Sequence, residues 1–423
     1  MRLKIVITEK ENFRCGLIGE HLSHSFSPQI HAHLANYPYQ LFEMADSEVE
    51  GFLKSNVFDA VNVTIPYKKT VMPFLDEISD EALRIGSVNT ITRLEGGGLR
   101  GDNTDYYGFY RTVVESGITV KDKNVLILGT GGASFTARTV CADMCAKSIT
   151  LVSRKGEINY ENVYDKCADT HVVINCTPVG MYPNNGISPI ELSRLHACEG
   201  VIDMIYNPSK TKLLLDAERL GIKCCNGLTM LVAQAKKACE LFLNETIDDK
   251  EIDGITASIA NETENIILVG MPGCGKTTVA RLLASMTGRE TVDTDEMITR
   301  ATGRTPSEII KSDGEEAFRV IEHEQVKLAG KMSGKIISTG GGVVTREENL
   351  DPLRQNGKIF FIKRPLHCLS TIDRPLSQMT ALEDMYRARL PKYRMFCDHE
   401  VSNDSHADAC ALEILKLSGV SQK

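Results

Sequence analysis

Apolar residues along the chain fall into short, often β-branched runs set between polar turns and stretches of helical spacing. The run Phe58-Asp-Ala-Val-Asn-Val-Thr-Ile65 stops at Pro66, which predicts a buried strand reaching a loop. Residues 1–110 mix such strands with short helices. From about residue 121 the rhythm changes. Asn124–Leu128, Ser148–Val152, Val172–Asn175 and Gly200–Asp203 read as strands, 129–134 as a turn, and 133–146 and 228–243 as helices. Strands alternating with helices predict a parallel sheet covered on both faces. Asn244 to Gly254 is polar, acidic and little periodic. With the residues up to Glu264 it predicts a flexible linker, a solvated surface helix being the alternative. Asn265–Val269 is a new strand and opens a last unit, 265–423.

At 423 residues the chain is too long for one ordinary core, and two or three domains are expected. The 42% hydrophobic and 25% charged content is that of a soluble globular protein. A net charge of −8 argues against nucleic-acid binding, and no apolar run reaches membrane-span length. The apolar stretch at the start is too short for a signal peptide. The 13 cysteines are scattered and none forms C-x-x-C, so a reducing, cytoplasmic setting is expected. Monomer and homodimer both stay open.

Two glycine-rich turns carry the chemistry. Gly270-Met-Pro-Gly-Cys-Gly-Lys-Thr277 fits G-x-x-x-x-G-K-[ST] in full. Its backbone N–H groups can cradle phosphates at a helix N-terminus, with Lys276 on the β/γ-phosphates and the Thr277 hydroxyl on Mg²⁺. Gly273, Cys274, Gly275 and Thr278 complete the expected ATP site. The second turn, Gly129-Thr-Gly-Gly-Ala-Ser134, follows a strand directly, as a dinucleotide-binding turn does. After the next strand, Ser153, Arg154 and Lys155 stand where NAD enzymes place an acid for the ribose 2′-hydroxyl. Two cations there suit a 2′-phosphate and favour NADP over NAD.

Behind the first of these turns come Val292-Asp-Thr-Asp-Glu296, expected as a strand end with two acids on one side, Gly314-Glu-Glu-Ala-Phe-Arg319, Ser338-Thr-Gly-Gly-Gly-Val343, Arg374-Pro-Leu and Arg389-Leu-Pro-Lys-Tyr393. In this order and spacing, 265–423 resembles shikimate kinase. The resemblance implies that Asp295 holds and deprotonates the acceptor hydroxyl. Arg319 and Arg389 clamp the substrate carboxylate, Gly340 and Gly341 bind ring hydroxyls, Asp293 lies in the outer shell of magnesium, and Arg374 comes from a lid onto ATP.

The front part places Ser25 and Ser27 in a loop, Asn62-Val-Thr-Ile-Pro-Tyr-Lys68 beyond a strand, then Gly86-Ser-Val-Asn-Thr90 and Gly101-Asp-Asn-Thr-Asp105. With Asp203-Met-Ile-Tyr-Asn-Pro208 and Asn226-Gly-Leu-Thr-Met-Leu-Val-Ala-Gln234, these are similar to shikimate dehydrogenase over roughly residues 12–243. The resemblance implies Lys68 and Asp105 as the catalytic pair. It implies Ser25 and Ser27 on the substrate carboxylate, and Thr64, Asn89, Tyr206 and Gln234 on its hydroxyls. Gly129, Thr130, Gly131, Gly132 and Ala133 would hold the NADP pyrophosphate. Thr177, Met204, Gly227 and Met230 would lie along the nicotinamide, and Asp80 near the cofactor. Two departures stand out: segment 156–171 is short for the family, and His31-Ala32 replaces His-Asn.

The expected architecture is therefore α/β throughout. It has a substrate-binding α/β domain (1–110, completed by helix 228–243), a Rossmann-like NADP domain (111–227), an acidic linker (244–264) and a three-layer α/β/α P-loop kinase domain (265–423). The expected activity is bifunctional: NADPH-dependent reduction of 3-dehydroshikimate to shikimate, then phosphorylation of shikimate by MgATP. The alternatives are a front half that only binds or regulates, or one that oxidises quinate with NAD.

Overall fold

The computed structural model describes residues 13–22, 25–369, 379–404, 406–420 and 422, the side chains of 379–381 excepted. These fall into two compact units. One takes the described residues up to Val179 with Ser188–Tyr206 and Asp216–Ala257; the other takes Gly180–Ile187, Asn207–Leu215 and the described residues from Ser258 onward.

The first unit holds two sheets. One is six-stranded, built from β1 (Cys15–Gly19), β2 (Tyr39–Glu43), β3 (Ala60–Val63), β4 (Glu77–Ile78), β5 (Thr90–Arg93) and β6 (Leu99–Asp102) in the order β2-β1-β3-β5-β6-β4. β1 runs parallel to β2 and β3, whereas β5 is antiparallel to β3 and β6. The strand expected from Phe58 to Ile65 is shorter than its apolar run: Phe58 is buried in the core while Ile65 is exposed beside the loop that carries Lys68.

The second sheet is wholly parallel: β7 (Asn124–Leu128), β8 (Ser148–Val152), β9 (Val172–Asn175), β10 (Gly200–Asp203) and β11 (Lys223–Cys225), in the order β11-β10-β9-β7-β8. Chain order reverses beside β7, so the turn leaving β7 opens into the crevice where such sheets bind ligands. The helix Gly132–Asp143 starts directly on that turn. The short segment 156–171 folds as turns and a single helical turn, Val163–Lys166. The helix Leu228–Leu243 packs along the helix Asp105–Ser116, and buries Val232, Ala233, Ala235 and Cys239.

The second unit is built on β12 (Asn265–Val269), β13 (Thr291–Asp293), β14 (Ile336–Ser338), β15 (Gly357–Lys363) and β16 (His399–Ser402), all parallel in the order β13-β14-β12-β15-β16. β12 is buried at all five positions, which is why Ile266–Val269 read as an uninterrupted apolar run behind Asn265. Its neighbours β14 and β15 lie on opposite sides, so the loop leaving β12 is again at a reversal of chain order.

Two expectations need correction. The stretch 244–264, read as a flexible linker, is helical from Lys250 to Thr263. Its buried residues Ile252, Ile255 and Ile259 recur at helical spacing inside an otherwise polar segment, so the solvated-helix alternative is closer but incomplete. Asp295 was expected on a strand with Asp293. β13 ends at Asp293, which caps the helix Thr294–Thr302 by accepting from the Asp295 N–H at 2.9 Å. The two acids are brought close by a helix start, not by a strand face.

Candidate active sites

In the first unit a cavity of about 550 Å³ has among its lining residues twelve expected site residues: Ser25, Ser27, Thr64, Lys68, Asn89, Asp105, Ala133, Met204, Tyr206, Gly227, Met230 and Gln234. Lys68 follows β3, and its carbonyl accepts from Val88 N–H at 2.8 Å, which fixes the loop. Asp105 opens the helix Asp105–Ser116, its own N–H donating to Asn103 Oδ1 at 3.1 Å. The Lys68 ammonium reaches Asp105 Oδ2 at 2.5 Å, with the two side chains 26% and 16% exposed. The pair is thus half-sheltered but open to the cavity, as proton transfer to a ligand requires.

Asn89 is buried, and its Oδ1 accepts from Thr104 N–H at 2.7 Å, which aims the amide. Tyr206 packs edge-on against Phe26, with ring centroids 5.9 Å apart, and burial raises its phenol above the ordinary value. Gln234 donates to Leu231 O at 2.8 Å from the helix Leu228–Leu243. Asn62 and His21 also line the cavity and were not singled out from sequence. Asn62 lies inside the Asn62–Lys68 motif, a polar residue in an otherwise apolar buried strand.

The cofactor candidates sit around β7 and β8. Gly129 has φ of +103°, and a methyl there would come 3.0 Å from Thr177 Cγ2, so both the turn and its close approach need glycine. Thr177 in turn donates to Asn175 Oδ1 at 2.7 Å. Thr130, Gly131 and Gly132 lead into the helix Gly132–Asp143, whose first N–H groups favour an anion. Ser153, Arg154 and Lys155 follow β8, with both cations exposed. A methyl on Gly227 would strike Met204 O, which explains the glycine at that crossing. Asp80 is exposed at the start of the helix Asp80–Ile85 and is not among the residues lining the cavity.

In the second unit the glycine-rich loop leaves β12 with Gly270, Gly273 and Gly275 all at positive φ. The helix Lys276–Thr287 begins immediately, with Thr277 and Thr278 exposed in its first turn. The Lys276 ammonium curls back to Gly270 O at 2.9 Å and Met271 O at 3.2 Å. Cys274, expected on ATP, has a buried thiol, and its N–H donates to Met271 O at 3.2 Å.

Beside the loop, the turn Gly340–Gly342 gathers the substrate candidates. A methyl on Gly340 would lie 2.8 Å from Asp295 Oδ1 and 2.9 Å from Glu322 Oε1, and one on Gly342 would strike the Arg319 guanidinium. Arg319 bonds Glu322 Oε2 at 2.7 Å and Glu315 Oε1 at 2.9 Å. Burial pushes the Glu322 carboxyl above its ordinary value, with Arg319 pulling the other way. Glu322 Oε1 and Arg319 Nε are buried with no hydrogen-bond partner among the described residues. Buried polar atoms of this kind are rarely left unmet, and here they border the turn Gly340–Gly342. Arg389 donates to Gly341 O at 3.1 Å. Glu322 was missed from sequence, although Arg319-Val-Ile-Glu322 shows an i, i+3 ion pair. Arg374 lies outside the described residues. Among those described, no cluster of three or more His, Cys, Asp or Glu is arranged to hold a metal.

The two sites define a nucleotide-dependent reductase of Rossmann type joined to a P-loop kinase of small molecules. The family model "Shikimate dehydrogenase substrate binding domain" matches residues 17–91, and the model "Shikimate kinase" matches 272–418. A shikimate dehydrogenase (NADP(+)) of Clostridium beijerinckii is 40% identical over 267 residues, 58% of this chain and 98% of that protein. The solved shikimate dehydrogenase 1 of Peptoclostridium difficile is 40% identical with a TM-score of 0.54, over 58% of this chain and 97% of that one. A chorismate mutase/shikimate 5-dehydrogenase fusion protein from Clostridium acetobutylicum is 36% identical with a TM-score of 0.55, over 59% and 97%. The chain belongs to the shikimate dehydrogenase family and carries a shikimate kinase domain behind it. No described helix is long and apolar enough to cross a membrane.

Proposed function

We propose that this chain reduces 3-dehydroshikimate to shikimate with NADPH in its front cavity, and phosphorylates shikimate at the 3-hydroxyl with MgATP in its rear site. The Lys68–Asp105 pair, set in a cavity with Ser25, Ser27, Asn89, Tyr206 and Gln234, is the observation that carries the reading of the front half. NADPH supplies the hydride when bound. The residues do the rest: Ser25 and Ser27 hold the substrate carboxylate. Thr64, Asn89, Tyr206 and Gln234 orient the ring hydroxyls. Lys68 hands a proton to the oxygen of the carbonyl as it becomes an alcohol, and Asp105 holds the ammonium in line.

The turn 129–133 fits a pyrophosphate, because it combines a glycine that admits close approach with a helix N-terminus. Arg154 and Lys155 fit a 2′-phosphate. Arg154→Ala is expected to raise the KM for NADPH roughly ten-fold or more, the scale of a lost charge-assisted hydrogen bond, while the KM for NADH changes little. Equal changes for the two cofactors would remove Arg154 from the 2′-phosphate.

In the rear site MgATP supplies the phosphoryl group. Lys276 and the loop N–H groups hold its phosphates, and Thr277, with Asp293 behind it, fits the metal shell. A magnesium bound mostly through substrate phosphates needs no dedicated carboxylate cage. Asp295 accepts the proton of the attacking hydroxyl. Arg319 and Arg389 grip the carboxylate, with Glu322 holding the Arg319 fork. Added shikimate with MgATP should yield ADP and a phosphorylated product without NADPH. Absence of that product from a chain that still reduces 3-dehydroshikimate would overturn the kinase half of the reading.

A further inference from the structure

Tyr393 takes part in none of the roles above, yet its hydroxyl lies between the Gly341 turn and the glycine-rich loop. It sits on the helix Met379–Phe396, fully buried, with its ring stacked on Phe361 of β15 at 4.7 Å and 11°. The hydroxyl donates to Gly341 O at 2.5 Å and lies 3.8 Å from Met271 Sδ in the glycine-rich loop. Gly341 is tight against that loop as well, since a methyl on it would lie 2.6 Å from Pro272 Cδ. The same Gly341 carbonyl accepts from Arg389 Nη1, one helical turn before Tyr393.

One carbonyl oxygen thus takes two donors from one helix, and the two are not equivalent. Tyr393 is neutral, buried and held by stacking. Arg389 is charged and is needed for a carboxylate. With the phenol in place, the Gly341 carbonyl is met without drawing on the rest of the guanidinium fork. Without it, the half-buried carbonyl would rest on Arg389 alone, and the turn would lose the donor that holds it independently of the guanidinium. We propose that Tyr393 is a positioning residue for the acceptor substrate of the kinase: it fixes the Gly340–Gly341 backbone and, through the carbonyl that both residues share, sets the direction in which the rest of the Arg389 fork meets the substrate carboxylate. The proposal rests on the shikimate kinase reading of this site.

The test is Tyr393→Phe in the full chain, which keeps the stacked ring and removes only the hydroxyl. The KM for shikimate should rise about 3–10-fold, the scale of one hydrogen bond, with the KM for ATP unchanged. Dehydrogenase kinetics of the same preparation serve as the reference for intact protein. Arg389→Lys should raise the shikimate KM on its own, and in the double variant the two effects should fall short of additive, because both residues act through one carbonyl. An unchanged shikimate KM, or equal rises in both KM values with a lower melting temperature, would overturn the proposal and leave Tyr393 a packing residue. Wild-type chain that phosphorylates no shikimate would instead overturn the reading beneath it.

Discussion

Lys68→Ala should lower ketone reduction by about 10²–10⁴-fold, the usual worth of a positioned proton donor, and leave phosphorylation of added shikimate unchanged. The expectation follows from geometry. Lys68 is the cation 2.5 Å from Asp105 in a cavity whose other lining groups are mostly neutral. Removing it takes away the proton donor and leaves Asp105 facing a carbonyl oxygen that gains negative charge during reduction. The loss should therefore fall on kcat more than on the KM for 3-dehydroshikimate, since the proposed contacts from the serines, Asn89 and Tyr206 would remain. Asp105→Asn should lose less, because the ammonium stays but is no longer aligned. A Lys68→Ala chain with normal kcat and a raised KM would make Lys68 a binding group only.

Lys276→Ala should do the reverse. Losing the cation proposed to meet the β/γ-phosphates should lower kinase turnover by about 10²–10³-fold, as loss of one preorganised donor does, with reduction intact. Lys276 is only 9% exposed and bonds two loop carbonyls, so the substitution also frees Gly270 O and Met271 O. A thermal melt should accompany the assay, since a loosened loop would add a stability loss to the catalytic one. Phosphate release assays with and without shikimate separate lost transfer from lost ATP binding. If either lysine variant abolished both activities, the two sites would not be independent.

Much of this was legible in the chain because both parallel sheets announce themselves. β7, β9, β10 and β12 are short apolar runs with polar borders, and the helix Leu228–Leu243 shows its apolar stripe over all its length. The glycine turns add fixed spacing to those runs. What escaped had a physical reason each time. The helix Lys250–Thr263 hides three buried isoleucines among acids, so composition outvoted its period. Asp295 passed for a strand residue because two acids at i, i+2 fit a strand face and a capped helix start equally well. Glu322 left only the i, i+3 spacing to Arg319, which any surface ion pair shares, and Tyr393 meets Gly341, a partner far away in sequence of which spacing along one chain carries no sign.

The most direct test of the central claim is one cuvette holding the intact chain, 3-dehydroshikimate and NADPH, followed by NADPH absorbance before and after MgATP is added. The account predicts a fall to an equilibrium plateau, then a further fall on adding MgATP, matched by ADP release, as the kinase removes the shikimate formed. A plateau that MgATP does not move, or no NADPH loss from the start, would contradict two working active sites in one chain.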